Sequence, residues 1–360
     1  MRTMTKTLVA FGAAAVAVIG ATSPSMAGKY RTPTPQQAKF YEQLLNGQRP
    51  STKKTLTAAQ RSAAEAATAA GKATVAGVAP AAAAAAPRST AIYVSAHPDD
   101  FVLFMNPYRD VVASDVRVVF VFLTAGDAGL GKGPKSAPYY LARENGAIRA
   151  IRFMADAGSS STADPRSTDV RYNGHSVQRW TYKNTTAIFL RLPDGAGEGS
   201  GYPVHNWASL MKLKTGEVGS IRAVDGSTTY SGWGDLVKTL GEIVRVQASG
   251  SSNVWFDTHE IDAAVNPGDH SDHVATGLAV AAVQPTFACT NLAYHVGYST
   301  GGLVNLDLDD VENRAGAFAN YTSGLAERGY PGVSWEPTHK SWLGGMVYRL
   351  VNGSGQACGF

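Results

Sequence analysis

An apolar, β-branched run, Ala91-Ile92-Tyr93-Val94-Ser95-Ala96, ends abruptly in His97-Pro98-Asp99-Asp100. A strand that is apolar on both faces belongs inside a sheet covered on both sides. Three ionisable side chains at its end are costly to bury unless they are paired or hold a cation. The chain must therefore fold so that a buried strand opens onto a site. A second cluster, His270-Ser271-Asp272-His273, lies far downstream and repeats the i,i+3 spacing of the first. Together the two clusters offer the ligands of one metal ion and the acid–base groups beside it.

The rest of the pattern indicates which sheet this is. Arg117 to Leu123 is a second near-continuous apolar run, closed by the turn residues Thr124-Ala125-Gly126-Asp127-Ala128-Gly129. Tyr139 to Ala157 reads as a long amphipathic helix, and Asn253 to Asp257 as a short strand ending in polar residues. A helix from about Asp272 to Val283 and a strand from Asn291 to Val296 follow. Strands alternating with helices, with polar residues at the strand ends, define an α/β fold. We expect a Rossmann-like three-layer α/β/α architecture with a mostly parallel sheet and its site at the C-terminal edge. Residues 159 to 232 are rich in Gly, Ser, Thr and Asp, with one strand-like run from Thr186 to Leu192, and read as a long substrate-facing insertion. A C-terminal extension completes the chain.

The N-terminus has the layout of a secretory signal over residues 1–27. Arg2 and Lys6 precede an apolar stretch from Leu8 to Ile19, and Ser25-Met26-Ala27 supplies small residues for cleavage. That stretch is short for a bilayer span, which needs roughly 20 residues, and no later segment is long and apolar enough. With no twin arginine the simpler route is Sec, so the expected location is secreted, periplasmic or at the cell surface. Residues 28–90 read as an Ala/Pro-rich arm or linker, with capping-box starts at Thr34 and Thr57 and a low-complexity stretch ending at Pro87. Residues 91–360 form the expected main domain. The net charge is +4, and subtracting Arg2 and Lys6 leaves +2. So weak an excess, with no Lys/Arg run, excludes a dedicated nucleic-acid binder. Cys289 and Cys358 are the only cysteines; in an oxidising compartment they are expected to form one disulfide.

Pro98 suits the first turn of a helix, where its missing N–H costs nothing. His97 and Asp100 then fall on one side of that turn and can share a cation, while Asp99 is free for proton transfer. His270 and His273 stand in the same relation at a helix start. Two imidazoles and a carboxylate suffice for a hydrolytic zinc site with open coordination. Each segment alone is ordinary, because His-X-X-His pairs are commonly surface or capping residues. Their conjunction at a strand end carries the reading. Among other residues, His259 and His295 read as structural, and His175, His205 and His339 as solvated. Asp127 reads as a loop-holding residue. Trp180, Tyr182, Tyr202, Trp207, Tyr230 and Trp233 read as packing residues, with sugar-ring stacking as the rival role.

The conjunction resembles the LmbE-like, or PIG-L, family of metal-dependent N-deacetylases. Ala96-His97-Pro98-Asp99-Asp100 is similar to the family's AHPDD segment and His270-Ser271-Asp272-His273 to its HxDH segment. Thr124 to Gly129 and Arg143-Glu144 give further similarity, and Arg191-Leu192-Pro193-Asp194-Gly195 and Arg314 to Ser323 a weaker one. The resemblance implies zinc, or alternatively iron(II), held by His97, Asp100 and His273. It implies Asp99 as the general base that activates water, and His270 as oxyanion stabiliser or general acid. Asp272 would orient His270, and Arg143 would grip a sugar hydroxyl or phosphate unless it is a helix-surface ion pair. The implied substrate is an N-acetylated amino sugar or glycoconjugate, giving acetate and an amine. A non-sugar N-acyl compound, or carbohydrate binding without catalysis, are the alternatives. Two positions depart from the family pattern: Phe101 replaces a Glu, and Gly268 a Tyr.

Overall fold

The structure, a computed structural model, describes residues 89–113, 115–131, 138–158, 163–287, 290–330 and 337–351. The expected signal, the arm as far as residue 88, and both cysteines of the expected disulfide lie outside the described residues.

β1 (Ser89–Ser95) lies within an eight-stranded sheet of order β10-β9-β8-β1-β2-β5-β4-β3. Its neighbours are β2 (Val116–Thr124) and β8 (Asn253–His259), both parallel to it. β5 (Thr185–Leu192) and β9 (Thr290–His295) extend the parallel core on either side. These strands coincide with the apolar runs of the sequence, displaced by at most two residues at their ends. β10 (Tyr348–Val351) closes one edge antiparallel to β9. A separate two-stranded ribbon pairs β6 (Ile221–Arg222) with β7 (Thr229–Tyr230).

The segment read as a long insertion holds more sheet than its one expected strand. β3 (Arg166–Tyr172) and β4 (His175–Tyr182) form a hairpin that adds two antiparallel strands beside β5. Its turn is Asn173-Gly174, with φ of 49° and 83°, the dipeptide that best matches a two-residue hairpin turn. That dipeptide was the available signal. β3 is mostly exposed and polar, so its composition imitates a loop.

Side-chain alternation along β2 explains the layers. Val118, Phe120 and Phe122 face one helical layer, and Val119, Val121 and Leu123 face the other. The first layer holds α1 (Tyr108–Val112), α2 (Tyr139–Gly158) and α6 (Leu308–Glu327). The second holds α3 (Leu210–Thr215), α4 (Trp233–Gln247) and α5 (Ser271–Val283). A short α7 (Pro337–Trp342) belongs to the first layer through Trp342. The expected α/β/α class is therefore observed. From β1 the chain moves to β2 on one side and later to β8 on the other, so the strand order reverses at β1. Open α/β sheets form their crevices at such a reversal, beyond the strand C-termini. No helix among the described residues is long and apolar enough to cross a membrane.

Candidate metal centre and active site

His97 to Asp100 occupy the turn by which β1 leaves the sheet. Backbone amides of Val102 and Leu103 donate to Asp99 O at 3.1 and 3.0 Å. The turn then continues into a single π-helical turn, Phe101–Met105, whose five side chains are all buried. Such turns recur at functional sites because they re-aim neighbouring residues. Here the anchor is Phe101, fully buried with its ring centroid 5.0 Å from Phe120 and 5.6 Å from Phe122. The residue that departs from the family's Glu thus faces the core.

The second cluster starts α5. His270 is its N-cap, and its Nδ1 accepts the Asp272 N–H at 3.1 Å. His273, one turn on, meets the first cluster. His97 Nδ1 and His273 Nε2 lie 3.2 Å apart. Asp100 Oδ1 is 3.2 Å from His273 Nε2, and its Oδ2 is 3.4 Å from His97 Nδ1. All three residues are buried. The structure thus brings together the three residues expected to be ligands.

Hydrogen bonds behind this triangle determine which lone pairs converge. His273 Nδ1 lies 2.9 Å from Asp269 Oδ1, an N–H donor contact that leaves Nε2 as the free lone pair. Asp269 is itself gripped by Asn266 Nδ2 at 2.6 Å. His97 Nε2 makes no hydrogen bond among the described residues and has Asp272 Oδ2 3.5 Å away, while Nδ1 is its inward nitrogen. Two lone pairs and a carboxylate facing one another in a buried space repel unless a cation lies among them. The surrounding charge points the same way. Burial lowers the proton affinity of both imidazoles, but Asp100 outweighs it and raises His97 well above its ordinary value. Asp100 and Asp269 likewise lift His273 to about 9. Burial disfavours the Asp100 carboxylate, yet His273, His97 and His259 hold it well below its usual range. The site is built to hold positive charge, and a metal cation fits it.

The expected orienting residue, Asp272, serves the two histidines differently. Its carboxylate is nearer His97 Nε2 (3.5 Å) than His270 Nδ1 (3.9 Å), and its backbone amide holds His270. Oδ2 also accepts the Gly195 N–H at 2.8 Å. A Cβ at residue 195 would lie 2.4 Å from Asp272 Oδ1, so only glycine fits this approach. Because His270 Nδ1 accepts a hydrogen bond, the proton of the neutral ring is on Nε2. That nitrogen lies 3.9 Å from Asp194 Oδ1. Burial, reinforced by His97 and His273, lowers His270 to about 3, so the ring stays neutral at physiological pH.

Asp99 faces the other way, as expected, and its Oδ1 is paired with Arg143 Nη2. The remaining nitrogens of Arg143 are also engaged: Nη1 donates to Gly126 O and Nε to Tyr321 Oη, each at 3.0 Å. Gly126 has φ +53°, and a Cβ there would press on the guanidinium at 2.9 Å. Arg143 is thus a half-buried clamp on Asp99. The neighbouring Glu144 is held by a bidentate contact from Arg191, at 2.6 and 2.7 Å, and Arg191 reaches on to Asp225 at 2.7 Å. Two outlying sequence similarities are therefore one ion-paired unit.

His97, Asp99, His270 and Asp194 open onto a cavity of about 370 Å³. A larger one of about 460 Å³, beside Pro193, Val204 and Arg222, holds none of these groups. Across the first cavity stands an aromatic wall. The Tyr298 ring lies 5.3 Å from the His273 ring and stacks on Trp342 at 5.0 Å and 13°. An aromatic side chain thus reaches the site from residue 298, while Gly268 has φ +70° and open space around it. Arg314 fixes this wall from behind, its Nη1 donating to Leu103 O, Trp342 O and Gly345 O.

Several single-residue expectations need amendment. His205 is not solvated: its Nε2 meets Asp127 Oδ2 at 2.7 Å, and Asp127 also takes the Gly131 and Asp194 amides, as a loop-holding residue should. His175 is buried between Thr228 and Asp235, and His339 lines the cavity. Trp180, Tyr182 and Tyr230 are buried packing residues, whereas Trp207 is 53% exposed. His259, Asp269, Asp194, Tyr298 and Trp342 were missed as site residues. Two of them carried a signal: His259, just after a strand's polar end, and Asp194, within the Arg191–Gly195 similarity.

No family model matches the chain, and no curated protein matches its sequence. Among solved structures, it is similar to an N,N'-diacetylchitobiose deacetylase from Pyrococcus horikoshii. The TM-score is 0.42 at 14% identity, covering 73% of this chain and 84% of that one. It is also similar to a deacetylase of the teicoplanin biosynthetic pathway, with TM-score 0.39, 12% identity and coverage of 70% and 88%. A 4-carboxy-2-hydroxymuconate hydratase from Pseudomonas putida gives 0.34 at 15% identity, covering 69% and 82%.

Proposed function

We propose that the protein is an exported, metal-dependent hydrolase that removes the N-acetyl group from an N-acetylated amino sugar or glycoconjugate. One observation carries this reading. His97, Asp100 and His273 converge as a three-ligand set, and Asp99 and His270 flank it on the same cavity. His97 Nδ1, His273 Nε2 and Asp100 would hold zinc, or alternatively iron(II). When bound, the metal supplies Lewis acidity toward an amide oxygen.

The chain's own residues account for the remaining steps. Asp99, oriented by Arg143, takes a proton from the attacking water as the C–O bond forms. His270 presents Nε2–H, and as a neutral donor it suits hydrogen bonding to the developing oxyanion better than proton delivery. The C–N bond then breaks, Asp99 returns its proton to the leaving nitrogen, and acetate and a free amine result. Tyr298 and Trp342 offer a flat apolar surface that suits the face of a pyranose ring. The expected signal at residues 1–27 supports export.

Amine release from N-acetylglucosamine and its oligomers tests the proposal, comparing wild type with Asp99→Ala, each metal-free and zinc-reconstituted. Zinc-dependent release that disappears in Asp99→Ala is expected. Zinc binding without release from any sugar would shift the assignment to a non-sugar N-acyl substrate. Absence of stoichiometric metal would leave carbohydrate binding as the function.

A further inference from the structure

Trp207, for which the sequence offers packing or sugar-ring stacking, is 53% exposed. Its backbone lies in the left-handed region, at φ +60°, directly after Asn206 at +52°. Asparagine tolerates that conformation, but a bulky side chain there is an outlier. Contacts around the residue impose it. The Trp207 N–H donates to Tyr202 O at 2.9 Å, and its carbonyl accepts from Lys212 Nζ at 3.1 Å. A Cβ at Gly201 would lie 2.6 Å from the Trp207 carbonyl, so the loop closes tightly on itself. Glycine at position 207 would satisfy both the conformation and the exposure at lower cost. A large ring held rigidly, in strain and in solvent, is explained by contact with a ligand better than by folding.

The surroundings indicate the ligand. The segment between β5 and α3 borders both cavities: Asp194 lines the catalytic one, while Pro193, His205 and Asn206 line the larger one of about 460 Å³. Ser220 and Arg222 add to the polar lining of the larger cavity, which holds no acidic side chain. Trp207 stands between Asn206 and Ala208, both of which line that cavity. Asp127 ties the two regions together, accepting the Asp194 N–H at 3.1 Å and meeting His205 Nε2 at 2.7 Å. We propose that the larger cavity, with Trp207 beside it, is a distal subsite for further units of a glycan whose reacting acetamide lies in the catalytic cavity. Apolar side chains and an indole suit the faces of sugar rings, and Asn206, Ser220 and Arg222 suit their hydroxyls. A bilayer or an apolar peptide would leave those polar groups without partners. The substrate is then an oligosaccharide or polysaccharide rather than a monosaccharide. This inference rests on the carbohydrate reading proposed above.

The test is calorimetric binding of N-acetylglucosamine, from monomer to hexamer, to the metal-free protein. In wild type, affinity is expected to rise about tenfold from short to long oligomers, the worth of one aromatic contact. Trp207→Gly should remove that rise and leave monomer affinity unchanged. Because glycine suits φ +60°, this variant should melt no lower than wild type. Arg222→Ala, a change at an exposed position in the cavity lining, should reduce the rise. Wild-type affinity independent of chain length would overturn the proposal, as would an undiminished rise in Trp207→Gly or Arg222→Ala. A lower melting temperature for Trp207→Gly would make the ring a packing residue and overturn it as well. Binding that strengthens with chain length, without amine release, would sink the hydrolase reading and leave the subsite standing. Hydrolysis of monomer and oligomers with equal kcat/KM would do the reverse.

Discussion

The inward nitrogens of His97 and His273 face each other at 3.2 Å, each with its other nitrogen directed at a carboxylate. Only a shared proton or a cation reconciles that arrangement with burial, so the proposed metal would compete with a proton for one space.

The competition predicts a specific pH dependence of stability. An unfolded histidine titrates near 6.5. His273 is raised to about 9, because Asp100 and Asp269 outweigh burial. Its contribution is complete below about 6.5 and lost as pH rises through about 9. His259 behaves oppositely: burial, then the charge of His273, lowers it to about 4. Its contribution is complete above about 6.5 and lost as pH falls through about 4. Metal-free protein should therefore be most stable near pH 6.5, and zinc, which displaces the proton, should abolish the alkaline decline. Thermal melts from pH 4 to 10, with chelator and with zinc, check this. Parallel curves in the two series would refute it.

The Asp99–Arg143 pair makes a second prediction, separating catalysis from stability. Asp99→Asn should retain stoichiometric zinc while lowering kcat by about 10²- to 10⁴-fold, the usual worth of a general base. Arg143→Ala leaves a buried carboxylate unpaired and should cost about 3–5 kcal/mol of stability. In the double variant much of that cost should be recovered, because no unpaired charge remains. Urea denaturation of the four proteins measures the coupling. Additive losses would show that the two side chains do not act as a pair.

What could be read from the sequence divides along physical lines. β1 and β2 were legible because a strand covered on both faces is apolar almost throughout. β8 and β9 were legible because each holds a short apolar stretch, Val254–Phe256 and Leu292–Tyr294, between polar ends. β3 and β4 were not, since a half-exposed edge strand such as Arg166–Tyr172 has the composition of a loop. At the site, the proposed ligands and Asp99 were legible as a cluster because they crowd into two short segments with one-turn spacing. His259, Asp269 and Tyr298 have no such spacing. Each is a single side chain made relevant by strand order or a distant turn, and only the fold places it there. Arg143 was legible as a site residue, but its attachment to Asp99, Gly126 and Tyr321 was not.

The Glu144–Arg191–Asp225 unit yields a third prediction. Glu144 is buried, and Arg191 supplies both of its close contacts. Glu144→Ala should therefore destabilise the protein by about 3–5 kcal/mol, as breaking a buried ion pair does. It touches no ligand, so zinc affinity of the folded variant should stay at the wild-type value. Denaturant unfolding and zinc titration of the same sample test both halves. A folded variant with wild-type stability but weakened zinc binding would reverse the assignment.

The aromatic wall yields the last. Tyr298 is 39% exposed although it packs on Trp342 and lines the cavity, so its free face is available to a substrate. If a sugar ring lies there, the ring of Tyr298 matters and its hydroxyl does not. Tyr298→Ala should raise KM for an N-acetylglucosamine oligomer roughly tenfold, the worth of one aromatic contact of about 1.4 kcal/mol. Tyr298→Phe should match wild type. Loss of kcat in Tyr298→Phe, with KM unchanged, would instead make the hydroxyl a donor to the reacting oxygen. Trp342→Ala removes the ring behind Tyr298 while leaving the residue-342 carbonyl on Arg314 in place. It should raise KM at least as far, and steady-state kinetics on monomer and oligomer would show whether the effect grows with chain length.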